Sequence, residues 1–253
     1  MSTCPTCALV LLCVVQGCER LAFFAMLPLF VLYLHRCHGF TEPSALLLLG
    51  VFQALSYVGG LPGGVLTDRK LGSTTAIVLG TALLTLGYSV LALERGPLLW
   101  PALALLIVGH SFFRPSMSAM LGSLFPSSYA RRDGSFLWQY LAANLGAMAG
   151  PLCAEWATTG QRWDRLFLGA AAAMSIGTFT IATGVMLLPS ATQQTSEHRA
   201  SISSSEDNRA RWGAVLLLCS LAIVFWLTAQ QAGSALVLLA ESYTERSLSL
   251  IHI

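Results

Sequence analysis

The chain has 253 residues, of which 55% are hydrophobic and only 10% are charged, and its formal net charge is +2. Soluble domains carry about 25% charged residues, so a soluble fold of this size could not hide so much apolar surface. The composition therefore predicts an integral membrane protein whose outer surface contacts the lipid bilayer. The small net charge and the lack of a basic run with interleaved aromatic residues argue against a nucleic-acid partner.

Seven stretches are apolar and long enough to cross a bilayer as helices, because about 20 residues span the hydrocarbon core. They cover residues 8–34, 43–66, 73–93, 98–122, 136–158, 165–188 and 212–240. Polar or turn-forming residues bound each stretch, including Pro43 at a predicted first helical turn and the breaks before Pro97 and at Pro126. The sequence thus predicts an all-α, multi-pass membrane protein.

A polar, serine-rich segment divides the chain. Residues 190–211 show no apolar periodicity and are predicted to form a linker. The linker separates a six-helix transmembrane bundle, residues 1–189, from a seventh transmembrane helix within residues 212–246.

The loop charges predict an orientation. If the linker lies inside, the inside loops hold Arg69, Lys70, Arg131, Arg132, Arg199, Arg209 and Arg211, and the outside loops hold Arg36, Arg95, Arg162 and Arg165. Inside loops of membrane proteins carry the excess of Lys and Arg. The N-terminus and the linker are therefore predicted to be cytoplasmic, in a plasma membrane or an inner membrane.

Charged residues occur inside the predicted spans, where each charge at a helix centre costs about 2.5 to 3.5 kcal/mol on insertion. Glu19 and Arg20 lie in the first helix and Arg114 in the fourth, with His110 one turn before it. Intramembrane charges indicate a functional site that faces a water-filled cavity or other charged groups. A static structural ion pair is the alternative.

Helical spacing places Gln16, Glu19 and Arg20 in one polar wedge on the first helix, because residues three and four apart share a face. Neighbouring residues point about 100° apart, so Glu19 and Arg20 are predicted to be poorly placed to pair with each other. Arg114 is the candidate facing group. Pro115 directly after it is expected to kink or loosen the fourth helix, as in the substrate sites of transporters.

The run GGVLTDRKLG, residues 63–72, lies in the predicted first cytoplasmic loop. It resembles the loop 2–3 signature of the major facilitator superfamily, Gly-x-x-x-Asp-Arg-x-x-Gly. The resemblance implies a cytoplasmic gate motif that consists of Gly64, Asp68, Arg69 and Gly72.

Four further segments resemble signatures of the proton-dependent oligopeptide transporters within that superfamily. Residues 16–24, QGCERLAFF, resemble E-x-x-E-R-F-x-Y-Y of helix 1, and residues 113–118, FRPSMS, resemble F-K-P-N-x-S of helix 4. Residues 132–146 resemble R-D-x-x-F-x-x-x-Y-x-x-x-N-L-G, and residues 225–234, FWLTAQQAGS, resemble F-W-x-x-x-E-Q-x-G-S of helix 7. The resemblance implies a fold of twelve helices in two bundles. This chain would be the N-terminal six-helix bundle plus a seventh helix, and the C-terminal bundle would be its missing partner.

The resemblance also implies roles for residues at matching positions. Glu19 and Arg20 match positions tied to proton coupling and peptide binding, and Arg114 matches a lysine tied to the peptide carboxylate. The other implied substrate-binding positions are Gln16, Tyr57, Tyr140, Asn144 and Gln231. The implied activity is proton-coupled symport of di- and tripeptides by alternating access, with the proton as coupling ion and neither a cofactor nor a metal.

The chain departs from this family pattern at several positions. Gln16 and Gln230 stand where the family has Glu, so two titratable carboxylates are absent. Phe23 and Phe24 replace tyrosines and remove two hydroxyl groups. Arg114 replaces Lys: it can bind a carboxylate bidentately but stays charged at any accessible pH.

We therefore expect Glu19 to carry the coupled proton and Arg114 to bind the substrate carboxylate. Residues 247–253 resemble nothing expected after helix 7, so they are predicted to be a non-native tail of a truncated or misjoined reading frame. The chain alone would expose half of a cavity and one unpaired helix, and we expect it to be inactive by itself.

Two other classes of protein are alternatives. A rhomboid-type intramembrane protease needs Gly-x-Ser-Gly and a histidine on another helix, but Phe112 follows Ser111 here and the sixth helix has no histidine. A serine without a base is not a nucleophile, so the chain is predicted not to be an enzyme. Another transporter of the same superfamily, for nitrate, amino acids, sugars or drugs, stays open because a fold does not determine a substrate.

Overall fold

The computed structural model describes residues 5–93, 96–125, 129–158, 162–185, 188 and 205–229, and the described residues contain no strand. Their α-helices are α1 (Pro5–His38), α2 (Glu42–Val58), α3 (Gly60–Leu66), α4 (Ser73–Leu91), α5 (Leu99–Ser123), α6 (Tyr129–Thr158), α7 (Trp163–Gly184) and α8 (Ser205–Ala229). A π-helical turn, Thr67–Leu71, follows α3, and a 3-10 turn, Gly96–Leu98, precedes α5. The predicted all-α class is confirmed.

Among the described residues, five helical segments are long and apolar enough to cross a membrane, and they coincide with five of the seven predicted spans. These segments are Pro5–His38, Glu42–Leu71, Ser73–Leu91, Gly96–Ser123 and Trp163–Gly184. Helix α6 has 30 residues but is less apolar, because polar residues such as Gln139 and Asn144 interrupt it. The described apolar part of α8, Val215–Ala229, is shorter than a full span, and residues 230–240 lie outside the described residues.

The second predicted span, residues 43–66, is divided at Gly59 into α2 and α3. The prediction that residues 63–72 form a loop is wrong, because this run completes α3 and then continues through the π-helical turn Thr67–Leu71. Only Gly72 makes the turn into α4. Its φ of 75° lies in the left-handed region, where glycine has no steric penalty.

Helix α1 lies in the middle of the bundle and packs against α6, α7 and α2, while α4 packs against α5 and α7. In lipid, helices associate through close packing and polar contacts rather than through a hydrophobic driving force. Glycines allow the helices to approach closely. A Cβ at Gly146 of α6 would overlap the backbone oxygen of Gly17 in α1. Similarly, a Cβ at Gly80 of α4 would lie 2.9 Å from the backbone oxygen of Gly109 in α5.

Helix α8 begins at Ser205, inside the segment that the sequence predicts as a linker over residues 190–211. Residues 205–211 of that segment are therefore helical. The segment starts with Ser, Glu and Asp, residue types that favour the first turn of a helix. The large apolar side chains of α8 are exposed from Val215 to Leu227.

Candidate functional site

The candidate site is centred on Glu19, whose side chain is fully buried in α1. Nε of Arg20 lies 2.9 Å from Oε2 of Glu19, and Nη2 of Arg114 lies 3.7 Å from Oε1. Gln16 donates a hydrogen bond from Nε2 to Oε2 of Glu19 at 3.3 Å. Two guanidinium groups and an amide thus surround the carboxylate and offset the cost of burying its charge.

The expectation that Glu19 and Arg20 would pair poorly is wrong. Their Cα–Cβ bonds do diverge by about 100° around the helix axis. The Arg20 side chain nevertheless folds back, because its long aliphatic stem brings Nε to the carboxylate. Adjacent residues on one helix can therefore form an ion pair when one of them is as long as arginine.

Aromatic rings as well as charge hold Arg114. Its Cζ lies 4.3 Å from the ring centroid of Tyr57 and 5.0 Å from that of Phe23. Each cation–π contact contributes about 0.5 to 2 kcal/mol, depending on desolvation. The three guanidinium nitrogens are buried and have no hydrogen-bond partner among the described residues. Because arginine has five N–H donors, Arg114 retains donors that an anionic group can use.

His110 completes the cluster. Its side chain is fully buried, its Nδ1 lies 3.3 Å from Oε1 of Glu19, and its ring packs edge-to-face on Phe23 with centroids 5.2 Å apart. The sequence indicated only that His110 precedes Arg114 by one turn. That spacing of four residues puts both side chains on the same face of α5, so the sequence could have predicted that His110 belongs to the same site as Arg114.

Gln139 lies next to the site, although the sequence did not predict it there. Its Nε2 donates to Oε1 of Gln16 at 3.3 Å, and this bond links α6 to α1. Gln139 lies seven residues before Gly146, so the two share the face of α6 that packs closely against α1. This spacing could have placed Gln139 near α1. A line of side chains thus runs from α6 through Gln16 to Glu19.

Tyr140 and Asn144 lie elsewhere on α6. Tyr140 is 71% exposed, and the exposed Asn144 donates from Nδ2 to the backbone oxygen of Tyr140 at 2.7 Å. The contacts of the described residues do not join them to the Glu19 cluster. Gln231, also predicted to bind substrate, lies outside the described residues, as does Gln230.

The residues of the predicted gate motif are distributed over α3 and the turns after it. Gly64 lies on α3, where an added Cβ would be 3.6 Å from Cβ of Pro115 on α5. Asp68 and Arg69 are exposed in the π-helical turn, and Gly72 ends it. The motif therefore begins at the contact between α3 and α5, and its role as a gate stays a prediction.

Helix α5 continues through Pro115 from Leu99 to Ser123. Proline has no N–H, so the backbone oxygen of Ser111 lacks its usual helical partner. A Cβ at Gly63 would overlap that oxygen, which shows how closely α3 approaches α5 here. The fourth predicted helix, α5, was expected to loosen at Pro115. The structure shows a continuous helix in which the Ser111 carbonyl lacks its helical partner and faces Gly63.

A multi-pass helical bundle with a buried carboxylate between two guanidinium groups has the features of a membrane transporter, since charges inside membranes mark substrate and ion pathways. The chain belongs to the major facilitator superfamily, because the sequence profile described as Major Facilitator Superfamily matches residues 12–250.

Curated relatives of the chain are peptide transporters. It is 31% identical over 153 residues to "Peptide transporter YePEPT" of Yersinia enterocolitica subsp. palearctica, a match that covers 57% of this chain and 30% of the relative. It is 30% identical over 151 residues to "Dipeptide and tripeptide permease A" of Serratia proteamaculans, a match that covers 59% of this chain and 30% of the relative. The chain thus matches less than a third of the length of these relatives, which are transporters rather than enzymes.

Solved structures show the same fold. A POT family transporter in complex with 5-aminolevulinic acid has a TM-score of 0.71 at 24% identity, over 87% of this chain and 46% of that one. A bacterial homologue of the human drug peptide transporters PepT1 and PepT2 has a TM-score of 0.68 at 20% identity, over 90% of this chain and 52% of that one. The predicted resemblance to oligopeptide transporters and the predicted fold class are confirmed, and the chain covers about half of such a fold.

Proposed function

We propose that this chain forms the N-terminal half of a transporter that carries di- and tripeptides across a membrane together with protons, by alternating access. The observation that carries the proposal is the fully buried Glu19, which lies 2.9 Å from Arg20 and 3.7 Å from Arg114. The names of the curated relatives support peptides as the substrate class.

In this proposal Arg114 binds the substrate carboxylate. Its buried nitrogens have no hydrogen-bond partner among the described residues, so the described part of the chain leaves these donors unused. The flat fork of a guanidinium matches the two oxygens of a carboxylate. Tyr57 and Phe23 hold the cation by their ring faces and leave its N–H groups unused.

Glu19 carries the coupled proton. Without substrate, its carboxylate is stabilised by Arg20 and Arg114. A substrate carboxylate that binds Arg114 competes for one of these cations. Two unit charges 4 Å apart interact by about 4 kcal/mol near a protein surface, so this competition favours a proton on Glu19. The proton and the peptide would then cross together.

The remaining predicted substrate positions form the outer part of the proposed cavity. Tyr57, Tyr140 and Asn144 are exposed on this half of the fold, and we propose that they face the peptide across the cavity. Gln16 supports the site through its bond to Glu19. Gln231 is proposed to approach from the seventh transmembrane helix.

The partner of this half is proposed to be a C-terminal six-helix bundle. The exposed apolar side chains of α8 and the partial coverage of the related structures support this partner. We also propose a cytoplasmic N-terminus and linker in a plasma or inner membrane, on the basis of the excess of Arg and Lys in the inside loops. The domain boundaries and the non-native tail at residues 247–253 stay predictions.

The test uses the complete transporter encoded by the gene that contains this chain, purified and reconstituted into liposomes. An inward proton gradient is expected to concentrate radiolabelled dialanine, and a protonophore is expected to abolish the accumulation. The 253-residue chain alone, reconstituted in parallel, is expected to show no uptake. Uptake of nitrate, a free amino acid or a drug without uptake of dialanine would favour another superfamily transporter over a peptide transporter.

A further inference from the structure

His110 is a buried titratable side chain that the proposed roles of Glu19 and Arg114 leave unused. Its Nδ1 lies 3.3 Å from Oε1 of Glu19, and neither ring nitrogen has a hydrogen-bond partner among the described residues. Buried polar groups are nearly always hydrogen-bonded, and the carboxylate of Glu19 is the group near enough to pair with Nδ1. A shift of about 0.3 Å would bring the two atoms within ordinary N–H···O distance.

The charged and titratable groups that face His110 come from three helices. Glu19 and Arg20 approach from α1, and Arg114 lies one turn further along α5; all three interact electrostatically with His110. From α4, the fully buried Tyr88 interacts with Glu19, and its hydroxyl has no partner among the described residues. The amides next to the cluster, such as Gln16, cannot take up a proton near neutral pH.

The balance of charge links proton binding to substrate binding. With His110 neutral, one carboxylate faces two guanidinium groups, so the cluster carries a single net positive charge. A proton on His110 would add a second positive charge and is opposed by Arg20 and Arg114. A carboxylate bound at Arg114 offsets one of these two positive charges and so lowers the opposition. The cluster can therefore accept one proton for each carboxylate that it binds.

We propose that His110 and Glu19 hold the coupled proton between them, and that the proton enters when a substrate carboxylate binds Arg114. This inference rests on the proposed function and names a second proton-holding residue for it. The proton comes from water, binds the lone pair of Nδ1 or of the carboxylate, and returns to water after the peptide has left. The electron pairs stay on their own atoms, and no covalent bond forms between substrate and protein.

The first experiment measures proton uptake on binding by the complete transporter in weakly buffered detergent solution with a pH-indicator dye. Addition of dialanine is expected to remove about one proton from solution per peptide bound, and dialanine amide, which lacks the carboxylate, none. His110→Gln is expected to reduce the uptake at least twofold. The control is His35→Asn, because His35 lies at the exposed end of α1 and hydrogen-bonds the backbone oxygen of Phe40.

The second experiment separates proton coupling from folding and binding. In liposomes, His110→Asn and His110→Gln are expected to lose at least tenfold in proton-driven accumulation of dialanine, while exchange of dialanine across the membrane without a gradient stays within twofold. Wild-type accumulation in both variants would overturn the proposal. Loss of exchange together with accumulation in both variants would assign His110 to packing and also overturn it.

Failure of the proposed function would give different results from failure of the His110 proposal. A wild-type transporter that accumulates no dialanine under any gradient would refute peptide transport without any His110 variant. A wild type that exchanges dialanine and takes up no proton on binding would refute proton coupling as a whole. The role of His110 alone would be refuted by a wild type with both activities whose His110 variants are either unaffected or lose exchange together with accumulation.

Discussion

The guanidinium carbon of Arg114 lies 4.3 Å from the ring centroid of Tyr57, so a cation on α5 is covered by a ring from α2. The ring face holds the charge without using the N–H donors, which are the groups that a carboxylate needs. Tyr57 is itself 52% exposed, so one contact joins the buried charges to an exposed aromatic side chain.

We expect Tyr57→Leu to raise the KM for dialanine about fivefold, since a cation–π contact contributes about 1 kcal/mol. Tyr57→Phe keeps the ring face and should leave KM within twofold of the wild type. Both are measured as initial rates of uptake by the complete transporter in liposomes. Equal losses in the two variants would show that the hydroxyl, rather than the ring face, acts on the substrate.

Glu19→Gln is expected to abolish the response of dialanine uptake to an imposed proton gradient and to preserve exchange, because the amide keeps the shape of the side chain and cannot bind a proton near neutral pH. The matched control is Glu42→Gln at the exposed start of α2, which should behave as the wild type. The measurement is accumulation with and without a gradient. An unchanged gradient response in Glu19→Gln would remove this residue from proton coupling.

Arg114→Gln is expected to weaken dialanine binding by about 2 to 5 kcal/mol, the usual cost of removing one partner of a buried charge pair. Arg114→Lys keeps the charge and should lose less, although it cannot form the bidentate pair. Calorimetric titration with dialanine and with dialanine amide measures both affinities. If Arg114→Gln weakened the two ligands equally, Arg114 would not be the group that binds the carboxylate.

Gly146→Ala is expected to lower the thermal stability of the purified protein, because its Cβ would overlap the backbone oxygen of Gly17 and force α1 and α6 apart. Overpacking of this kind costs about 1 to 3 kcal/mol. Gly134→Ala on the same helix is the control: its Cβ would meet nothing within 4 Å, and alanine favours helix over glycine. Equal melting temperatures for the two variants would mean that α1 and α6 separate without cost.

Composition and hydropathy were enough to predict the fold class and the helices of five membrane spans, because lipid requires long, internally hydrogen-bonded apolar helices. The sequence also predicted that Glu19, Arg20 and Arg114 belong to a functional site, since a charge within a membrane helix costs free energy and commonly marks a substrate or ion pathway. Helix boundaries were harder to predict. The break at Gly59 and the start of α8 at Ser205 depend on local packing and on single polar residues. A hydropathy average over many residues does not resolve such positions.

Which side chains contact one another could not be predicted from the helices taken singly. Periodicity assigns a residue to a face of its own helix, but the depth and rotation of one helix against another follow from side-chain packing. It therefore took the packed bundle to bring His110 and Arg114 of α5 to Glu19, and to join Gln139 of α6 to Gln16. The close approach of these helices rests on glycines, whose missing side chains leave no periodic signal in the sequence.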